Sequence, residues 1–274
     1  MNQTIRSNYH NHIYLCKHAE GVPLDYVKLA KKYNYHTIGI SDHGPLCDEV
    51  LNKIITRRMS FDEYYNIYLS LMKQAKEEEG ITVLSALEIE YLPEMISYYP
   101  KFLEDLDYLI LGEHYFHYPK TDTNSDNYFS VYDIKTKEAA IAYKDQLIEG
   151  IKSGYFKIVA HPDIFCWAYG DWDDTCERIA IEIITAAKEN NVLLEINANG
   201  IRNSIRKNKI TKSSDGHISY GYPKYEFWLT AKRLNATVIV NDDTHWFNTF
   251  HDKYTIEAYA LAKELNLNIN DKIF

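Results

Sequence analysis

The stretch KIVAHPD, residues 157–163, places a short apolar run directly before a histidine, a proline and an aspartate. Residues 157–160 therefore predict a buried β-strand, with His161 and Asp163 at its carboxyl end. Six other apolar runs follow the same pattern, and stretches of helical period separate them, an alternation typical of a parallel α/β sheet. The predicted strands are residues 8–14, 37–41, 81–89, 108–111, 157–160, 192–196 and 237–240.

Three of the intervening helices carry start signals in the sequence. Ser60 and Glu63 form a capping box ahead of an apolar stripe at helical spacing. Pro23 fits the first turn of a second helix, and Asp173 or Asp174 can cap a third. These helices lie between predicted strands, as the parallel sheet requires.

The composition of the 274-residue chain is that of an ordinary globular protein, with 46% hydrophobic and 25% charged residues. We find no run of about 18 apolar residues that would span a membrane and no secretory leader pattern, so a cytoplasmic protein is expected. The four cysteines form no C-x-x-C pair and are expected to be free thiols. A formal net charge of -9 argues against general nucleic-acid binding, which depends on cationic side chains.

The domain organisation follows from what interrupts the pattern. No tandem repeat, low-complexity tract or long linker divides residues 1–274, so a single domain is expected, a closed or nearly closed β/α barrel. Two long polar segments, residues 115–134 and 198–222, interrupt it, and loops of that length are usually functional. The first segment could be a lid or a subunit contact, and the oligomeric state is left open.

Metal-binding residue types recur at the carboxyl ends of the predicted strands. His10 and His12 lie two positions apart, so their side chains leave the first strand on the same face. Each motif alone is weak, but packing does not explain their coincidence at six strand ends, where β/α barrels build active sites. The candidate ligands are His10, His12, His18, His43, Glu88, His114, His161, Asp243 and His245. The remaining histidines, interpreted as structural or solvent-facing, are His36, His117, His217 and His251.

Nine ligands exceed the about four that one zinc ion uses, so more than one metal ion is implied. Imidazole and carboxylate ligands without thiolate suit Zn, Mn or Fe and do not choose among them. Clustered divalent ions lower the pKa of a bridging water and neutralise phosphoester oxygens, which is the chemistry that phosphoester hydrolysis needs. The residues therefore predict a metal-dependent phosphohydrolase.

Taken in chain order, these motifs resemble those of the polymerase and histidinol phosphatase (PHP) superfamily, and especially its stand-alone histidinol-phosphate phosphatases. The resemblance extends from Tyr9 to the last helix. It implies a distorted seven-stranded, TIM-like (β/α)7 barrel, three divalent metal ions and hydrolysis of a small phosphorylated metabolite, L-histidinol phosphate, in histidine biosynthesis. The motifs are His10-Asn-His12, His18-Ala19, Ser41-Asp42-His43-Gly-Pro, Glu88, His114, His161-Pro-Asp163, Glu195-Ile-Asn197 and Asp243-Thr-His245.

The resemblance also implies a division of the ligands among the three ions. Glu88 would bridge two of them, and a metal-bridging hydroxide would attack phosphorus without a covalent phosphoenzyme. Asp42 and Asp163 could orient neighbouring histidines, could protonate the leaving alkoxide, or could make ordinary strand-end hydrogen bonds. The first ion would take His10, His12, Glu88 and Asp243, the second Glu88, His114 and His161, and the third His18, His43 and His245.

Substrate contacts are predicted mainly in residues 198–222, which carry several Lys and Arg residues in an acidic chain. Arg202 follows Asn-Gly, where phosphatases of the family place a phosphate-binding arginine, and guanidinium binds phosphate bidentately. Glu113 stands where many relatives have another sequence, and it could recognise a substrate amine or mark a subgroup with a different phosphoester. The predicted catalytic side chains are Asp42, Asp163 and Arg202. The predicted substrate contacts are Arg202, Glu113, Asn197 and Arg206, with Asp242, Arg57 and Arg58 as alternatives.

Other functions stay open from the sequence. A phosphodiesterase or nuclease of the same superfamily would act on a small phosphoester or nucleotide, although the acidic balance disfavours strand binding. A noncatalytic metal-binding scaffold would be expected to have lost ligands, and all nine are present. An amidohydrolase shares the His-x-His motif but uses a metal-bridging lysine, for which no strand end offers a candidate.

Overall fold

A curled parallel β-sheet is the central feature of the computed structural model, which describes residues 5–118 and 128–274. The strands are β1 (Ser7–Asn8), β2 (Thr37–Ile40), β3 (Thr82–Ile89), β4 (Tyr108–Leu111), β5 (Tyr115–His117), β6 (Tyr128–Ser130), β7 (Ile158–Val159), β8 (Leu193–Asn197), β9 (Ile210–Lys212), β10 (Ile218–Tyr220), β11 (Thr237–Asn241) and β12 (Asn268–Ile269). The α-helices are α1 (Pro23–Lys32), α2 (Asp48–Leu51), α3 (Phe61–Glu63), α4 (Leu69–Lys76), α5 (Tyr99–Asp105), α6 (Lys137–Lys152), α7 (Cys166–Tyr169), α8 (Asp174–Glu189), α9 (Ala198–Arg206), α10 (Tyr225–Arg233) and α11 (Lys253–Glu264). A π-helical turn (Tyr64–Tyr68) and 3-10 turns (Tyr14–Cys16, Pro93–Met95, Val131–Asp133 and Phe247–Thr249) complete the helical elements of these ranges.

The strands of the curled sheet pair in parallel in the order β1-β2-β3-β4-β7-β8-β11-β12. Every connection between neighbours contains at least one helix, as parallel crossovers require. Because parallel strands joined in chain order all point the same way, their carboxyl ends meet at one edge. The α/β class is confirmed, and the candidate ligands of the sequence lie at that edge.

The strand count differs from the prediction, since the described residues form eight sheet strands and seven were expected. The added strand, β12, pairs with β11 through Thr237 and Asn268 and through Val238 and Ile269. It has only two residues, and asparagines interrupt the apolar residues around it, so no apolar run predicts it. The first strand is shorter than the predicted residues 8–14, because only β1 pairs with β2.

The two sides of the curled sheet approach each other at the carboxyl edge. Asn11, just after β1, forms an isolated parallel bridge with Thr244, just after β11. The backbone N–H of His12 donates to the carbonyl of Thr244 at 2.9 Å. The segments that follow the first and the seventh sheet strands therefore lie side by side.

The predicted helix starts are confirmed. The Ser60 hydroxyl accepts a hydrogen bond from the Glu63 N–H at 3.2 Å, and the Ser60 N–H donates to the Glu63 carboxylate at 2.8 Å. Pro23 is the first residue of α1, and the Asp173 carboxylate accepts two N–H groups at the start of α8, each at 2.9 Å. Local chemistry thus decides where these helices begin.

Apolar side chains pack on both faces of the curled sheet. The larger core lies between the sheet and the surrounding helices. A second, smaller cluster fills the inside of the curl, and it includes Tyr9, Tyr108 and Ile239. Ala86 of this inner cluster lies two residues before Glu88 on β3 and shares its face. The inner face of the sheet is therefore apolar at its lower part and carries metal-binding groups towards its carboxyl edge.

Both long polar segments contain regular structure in their described parts. In the predicted lid or interface, β5 and β6 form an antiparallel hairpin, and residues 119–127 lie outside the described residues. Residues 198–222 are not a plain loop, because they form α9 and the antiparallel β9–β10 hairpin.

All four cysteines are free, as predicted. Within residues 5–118 and 128–274, no helix combines the length and the apolar character that crossing a membrane would demand.

Candidate metal centre

The nine predicted ligands come together at the carboxyl edge of the sheet. They form overlapping groups of three, and within each group the ligand atoms lie within 4.8 Å of one another. One of these groups also includes the buried thiol of Cys16, beside His12 and His245. Sequence positions more than 200 residues apart therefore meet in one cluster, because the strand ends that carry them lie at the same edge.

Glu88 lies at the centre of the cluster, near the end of β3. Its Oε1 atom is 3.1 Å from His161 Nε2 and 3.7 Å from His114 Nε2. Its Oε2 atom is 3.0 Å from His43 Nδ1 and 3.4 Å from His10 Nε2. The two oxygens thus face different sets of imidazoles, which is the geometry of a carboxylate able to bridge two cations.

A second part of the cluster joins the first strand to the segment after β11. The Nε2 atoms of His10 and His12 are 3.0 Å apart. Asp243 Oδ1 lies 3.2 Å from His12 Nε2 and 3.7 Å from His10 Nε2. These three side chains form one of the ligand groups.

A third part consists of His18, His43 and His245, which also form a ligand group. The ring of His18 lies 5.1 Å from that of His43 and 4.9 Å from that of His245, between centroids. The structure adds a contact that the sequence did not anticipate, because the His245 ring also stacks on His12 at 4.0 Å. The third group is therefore continuous with the second.

Outer hydrogen bonds fix the orientation of several imidazoles. Glu195 Oε1 lies 2.8 Å from His10 Nδ1, and Asp42 Oδ1 lies 3.3 Å from His12 Nδ1. The other nitrogen of each ring faces the cluster. Carboxylates that hold histidine ligands in this way select the tautomer and raise the basicity of the ligand. Glu195 was quoted in a sequence motif but given no role, and its place on the inner face of β8 explains its contact with His10.

A buried ion pair behind His114 was missed by the sequence analysis. Glu90 accepts two hydrogen bonds from the Arg58 guanidinium, both at 2.9 Å, and its Oε1 atom is 3.5 Å from His114 Nδ1. Arg58 also donates to the carbonyl of Gly44 at 3.1 Å. Burial raises the pKa of Glu90, but Arg58 outweighs it and lowers that pKa to about 2. The signal in the sequence is the spacing, since Glu90 is two residues after Glu88.

The electrostatics of the cluster favour cation binding. Burial alone would lower the pKa of His10, but the neighbouring carboxylates, Glu195 foremost, raise it well above the ordinary value. Burial would raise the pKa of Glu88, but the surrounding imidazoles hold it well below its usual range. Burial and the charge of His12 lower the pKa of His245 to about 3. A cation replaces a proton at such a site, because metal ligands must be deprotonated.

Two features of the described residues fit bound metal. Asp243 Oδ1 is buried and has no hydrogen-bond partner in these ranges, and His161 Nδ1 shares that property. Both residues also have left-handed backbone conformations, with φ of 48° for Asp243 and 32° for His161. Unpaired buried polar atoms and non-glycine residues at positive φ each cost free energy of about 1–3 kcal/mol, and they cluster at functional sites. The donor set and the orphaned Oδ1 of Asp243 fit divalent cations.

Gly112 makes room for the central carboxylate. A Cβ atom at this position would overlap the side chain of Glu88. The Gly112-Glu113-His114 motif therefore needs glycine at its first position for steric reasons.

The predicted acid residues lie behind the cluster. Asp42 is buried, and it accepts hydrogen bonds from the N–H groups of His43 at 2.9 Å and Cys16 at 3.0 Å, besides facing His12. Asp163 is buried and accepts from Trp228 Nε1 at 3.0 Å and the Lys224 N–H at 2.6 Å.

Burial raises the pKa of Asp163 to about 7. Neither Asp42 nor Asp163 lines the cavity in front of the cluster. Asp42 is placed to orient His12, and no contact joins Asp163 to a ligand among the described residues.

Arg202 lines the cavity but is engaged in the wall. Its Nε and Nη2 atoms each donate to the Asp252 carboxylate at 2.9 Å, and Nη1 donates to the Asp242 carbonyl at 2.7 Å. Nη2 also donates to the Thr249 carbonyl at 2.7 Å. The guanidinium thus ties α9 to the start of α11. Asp242 is likewise engaged with Arg202 and does not face the cavity.

The other predicted substrate contacts divide into two kinds. Glu113 is fully buried, accepts from the Tyr91 N–H at 3.1 Å and from the Gln146 amide, and does not line the cavity. Asn197 is also buried, and its amide donates to Asp243 Oδ2 at 3.1 Å. The structure therefore places Asn197 against a ligand and Glu113 behind the wall.

A cavity of about 670 Å³ opens in front of the cluster. Its floor contains Glu88, Asp243 and the five ligand histidines His18, His43, His114, His161 and His245. Aromatic side chains line its walls, including Tyr115, Tyr132 and the half-exposed Trp246. Arg57 and Arg206 line the cavity as well.

Comparison with known proteins decides the family. The sequence profile of the PHP domain matches residues 8–199. This chain belongs to the PHP domain family. The PHP match includes seven of the nine clustered ligands, and Asp243 and His245 follow it in the chain.

Curated relatives of this PHP protein are named as probable phosphatases. One from Shewanella halifaxensis is 26% identical over 93% of this chain and 81% of its own length. One from Shewanella sp. (strain ANA-3) is 23% identical over 86% of this chain and 75% of its own length. Phosphatase chemistry is thus supported in general, and no substrate is named in these descriptions.

Solved structures of similar fold support the architecture. A structure from Listeria monocytogenes matches with a TM-score of 0.66 and 14% identity, covering 92% of this chain and 99% of that one. Histidinol phosphate phosphatase from Lactococcus lactis, solved with zinc, L-histidinol and phosphate, matches with a TM-score of 0.64 and 19% identity. This match covers 97% of this chain and 95% of that one. At these identities the likeness establishes the fold.

Proposed function

We propose that this PHP protein is a metal-dependent phosphomonoesterase that acts on a small phosphorylated metabolite. The observation that carries the proposal is the convergence of nine donor side chains, with the carboxylate of Glu88 at their centre, at the floor of an open cavity. Divalent cations bound there would activate water and neutralise the charge of a phosphate group. The whole of residues 1–274 is proposed to act as one domain, because Asp243 and His245 lie beyond the matched profile yet complete the cluster.

The proposed metal ligands are divided as the resemblance implies. His10, His12, Glu88 and Asp243 would hold one ion, Glu88, His114 and His161 a second, and His18, His43 and His245 a third. The number of three ions and the choice among Zn, Mn and Fe are part of the proposal. The support for it is that each of these sets contains a group of donor atoms within 4.8 Å of one another.

The protein's own residues would orient this chemistry. Glu195 and Asp42 hold His10 and His12 with their other ring nitrogens turned to the cluster. The distorted, TIM-like barrel proposed from the sequence is supported by the bridge between Asn11 and Thr244. This bridge would hold His10 and His12 against Asp243. Asn11 lies between the two histidines, and Thr244 directly follows Asp243.

More specifically, we propose L-histidinol phosphate as the substrate, which would place the protein in histidine biosynthesis. Its support is the motif resemblance and the Lactococcus lactis structure, which was solved with L-histidinol and phosphate.

The experiment compares metal-stripped and reconstituted protein on three substrates: L-histidinol phosphate, p-nitrophenyl phosphate and a nucleotide phosphodiester. We expect more than one equivalent of metal by elemental analysis and turnover of monoesters that EDTA abolishes. Metal-free activity would end the proposal. Turnover of the diester alone would favour a phosphodiesterase.

A further inference from the structure

Four arginines line the cavity outside the ligand cluster. Arg58 and Arg202 are tied to carboxylates of the wall, and the other two, Arg57 and Arg206, lie at the rim. Arg57 follows β2 and Arg206 ends α9, which follows β8. β2 and β8 are the second and the sixth strands in the order of the curled sheet. Two side chains that far apart in the order of a curled sheet approach the cavity from different sides. Both line the cavity, and both are exposed.

Each arginine is mounted on a segment that is held in place. Beside Arg57, the Tyr115 hydroxyl donates to the Ile55 carbonyl at 2.8 Å, and Arg58 Nη2 donates to Thr56 Oγ1 at 3.2 Å. Tyr115 of the wall and the buried pair of Arg58 and Glu90 thus fix the chain on either side of Arg57.

Arg206 is oriented by a short chain of hydrogen bonds along the wall. Its Nη2 atom donates to Asn203 Oδ1 at 2.7 Å, and the Asn203 amide donates to the Tyr222 hydroxyl at 3.3 Å. Asn203 and Tyr222 also line the cavity. The guanidinium is therefore held at the wall while most of its donors stay available to a ligand.

The charge of the rim differs from that of the floor. Among the described residues that line the cavity, the carboxylates are Glu88 and Asp243, and both belong to the ligand cluster. Glu113 and Asp242, which the sequence offered for an ammonium group, are buried behind the wall. Beyond the ligand cluster, the described lining therefore consists of arginines, aromatic rings and neutral side chains, and it adds no carboxylate.

We propose that Arg57 and Arg206 select phosphomonoesters that carry a second anionic group, such as a carboxylate, on the leaving alcohol. This inference rests on the proposed function and concerns the substrate class of the same site. Guanidinium forms bidentate hydrogen bonds to carboxylate, and two of them across an opening attract an anion and repel an ammonium group. This expected preference opposes L-histidinol phosphate as the substrate, because that ester would bring an ammonium group to the two arginines.

The test compares kcat/KM for three phosphomonoesters of similar size: 3-phosphoglycerate, which carries a carboxylate, glycerol 3-phosphate, which is neutral there, and O-phosphoethanolamine, which carries an ammonium group. We expect the wild-type protein to prefer them in that order. Arg57→Gln and Arg206→Gln should each lower kcat/KM for 3-phosphoglycerate about tenfold, the equivalent of one charge-assisted hydrogen bond. The value for O-phosphoethanolamine should stay within about twofold or rise.

Lys207→Gln is the matched control, because Lys207 is the next residue, is exposed and does not line the cavity. It should leave all three values unchanged. Metal content and thermal unfolding of each variant separate a rim effect from damage to the cluster. Equal turnover of the three substrates by wild type, or a preference that survives the double Arg57→Gln, Arg206→Gln variant, would overturn the inference.

Binding of phosphonates keeps this test independent of turnover. Calorimetry with metal-loaded protein should show tighter binding of phosphonoacetate than of 2-aminoethylphosphonate, and the double variant should lose the difference. If this preference holds while no phosphomonoester is hydrolysed, the proposed function fails and the rim inference stands. If phosphomonoesters are hydrolysed without any charge preference, the inference fails and the proposed function stands.

Discussion

Replacing Glu90 by Gln tests the buried ion pair that supports His114. Both charged side chains are almost fully buried, with 1% of Glu90 and 5% of Arg58 exposed, and two hydrogen bonds of 2.9 Å join them. The pKa of Glu90 is about 2 against an ordinary 4.5. At about 1.4 kcal/mol per pH unit, that interval corresponds to about 3 kcal/mol of folding stability. Leaving a buried charge unpaired costs a similar amount, about 3–5 kcal/mol.

The pH dependence fixes the sign of this contribution. Because folding lowers the pKa of Glu90, its stabilisation is fully present above about pH 4.5 and is lost as the pH falls towards about 2. Urea unfolding of wild type and Glu90→Gln in EDTA, at several pH values from 7 downwards, measures the difference without a contribution from metal binding. We expect a difference of about 3 kcal/mol at pH 7 that shrinks steadily below pH 4.5.

Two further variants sharpen the measurement. Glu78→Gln is the matched control, because Glu78 also belongs to an ion pair, with Lys31, but lies at the surface, so its loss should change stability far less than Glu90→Gln does. Arg58→Lys keeps the charge but loses the bidentate contact. Its free energy of unfolding should lie between those of wild type and Glu90→Gln. A Glu90→Gln protein as stable as wild type at pH 7, or a difference that does not change with pH, would refute the reasoning.

Three other substitutions test the cluster and its supports. Gly112→Ala should displace the Glu88 carboxylate and reduce the bound metal measured by elemental analysis, and normal metal content would show that the close approach is unimportant. Asp42→Asn should weaken metal affinity about 10-fold to 100-fold in chelator competition, since the carboxylate orients His12, and unchanged affinity would remove that role. Arg202→Met should lower the free energy of unfolding by about 2–4 kcal/mol through loss of its buried contacts, whereas a rise in KM with unchanged stability would return Arg202 to phosphate binding.

The strand ends were predictable because their chemistry is local. An apolar run followed by His161 or by Asp243 can be recognised in a window of a few residues, and parallel topology then brings the windows together. The same argument explains why the nine clustered side chains could be named before any coordinates existed. It needs no knowledge of distances, only the rule that carboxyl ends share an edge.

Partnerships between distant residues were not predictable in this way. Arg202 is engaged by Asp242 and Asp252, which follow it by 40 and 50 residues, and no local pattern reveals that their oxygens occupy its donors. Glu90 and Glu113 each lie just beyond the end of a sheet strand, β3 and β4, yet Glu113 contacts Gln146 of α6 and Glu90 contacts Arg58. Only the packing of helices on the sheet decides which carboxylate faces which cation.

The eighth strand marks a further limit of the sequence. β12 has two residues, and the stretch around it alternates leucine with asparagine instead of forming an apolar run. Its position depends on the exposed edge of β11, which is a property of the assembled sheet. A strand this short is identified by its pairing with the edge of a sheet and not by its own sequence.

The packed inner cluster determines how substrates enter and products leave. With Tyr9, Tyr108, Ile158 and Ile239 buried against one another beneath the ligands, the inside of the curl offers no passage from below through the described residues. In the proposed phosphatase, incoming ester, water, released alcohol and inorganic phosphate would all use the same doorway. Inorganic phosphate that accumulates in solution would therefore compete with the ester for the cavity. Turnover would slow as this product builds up.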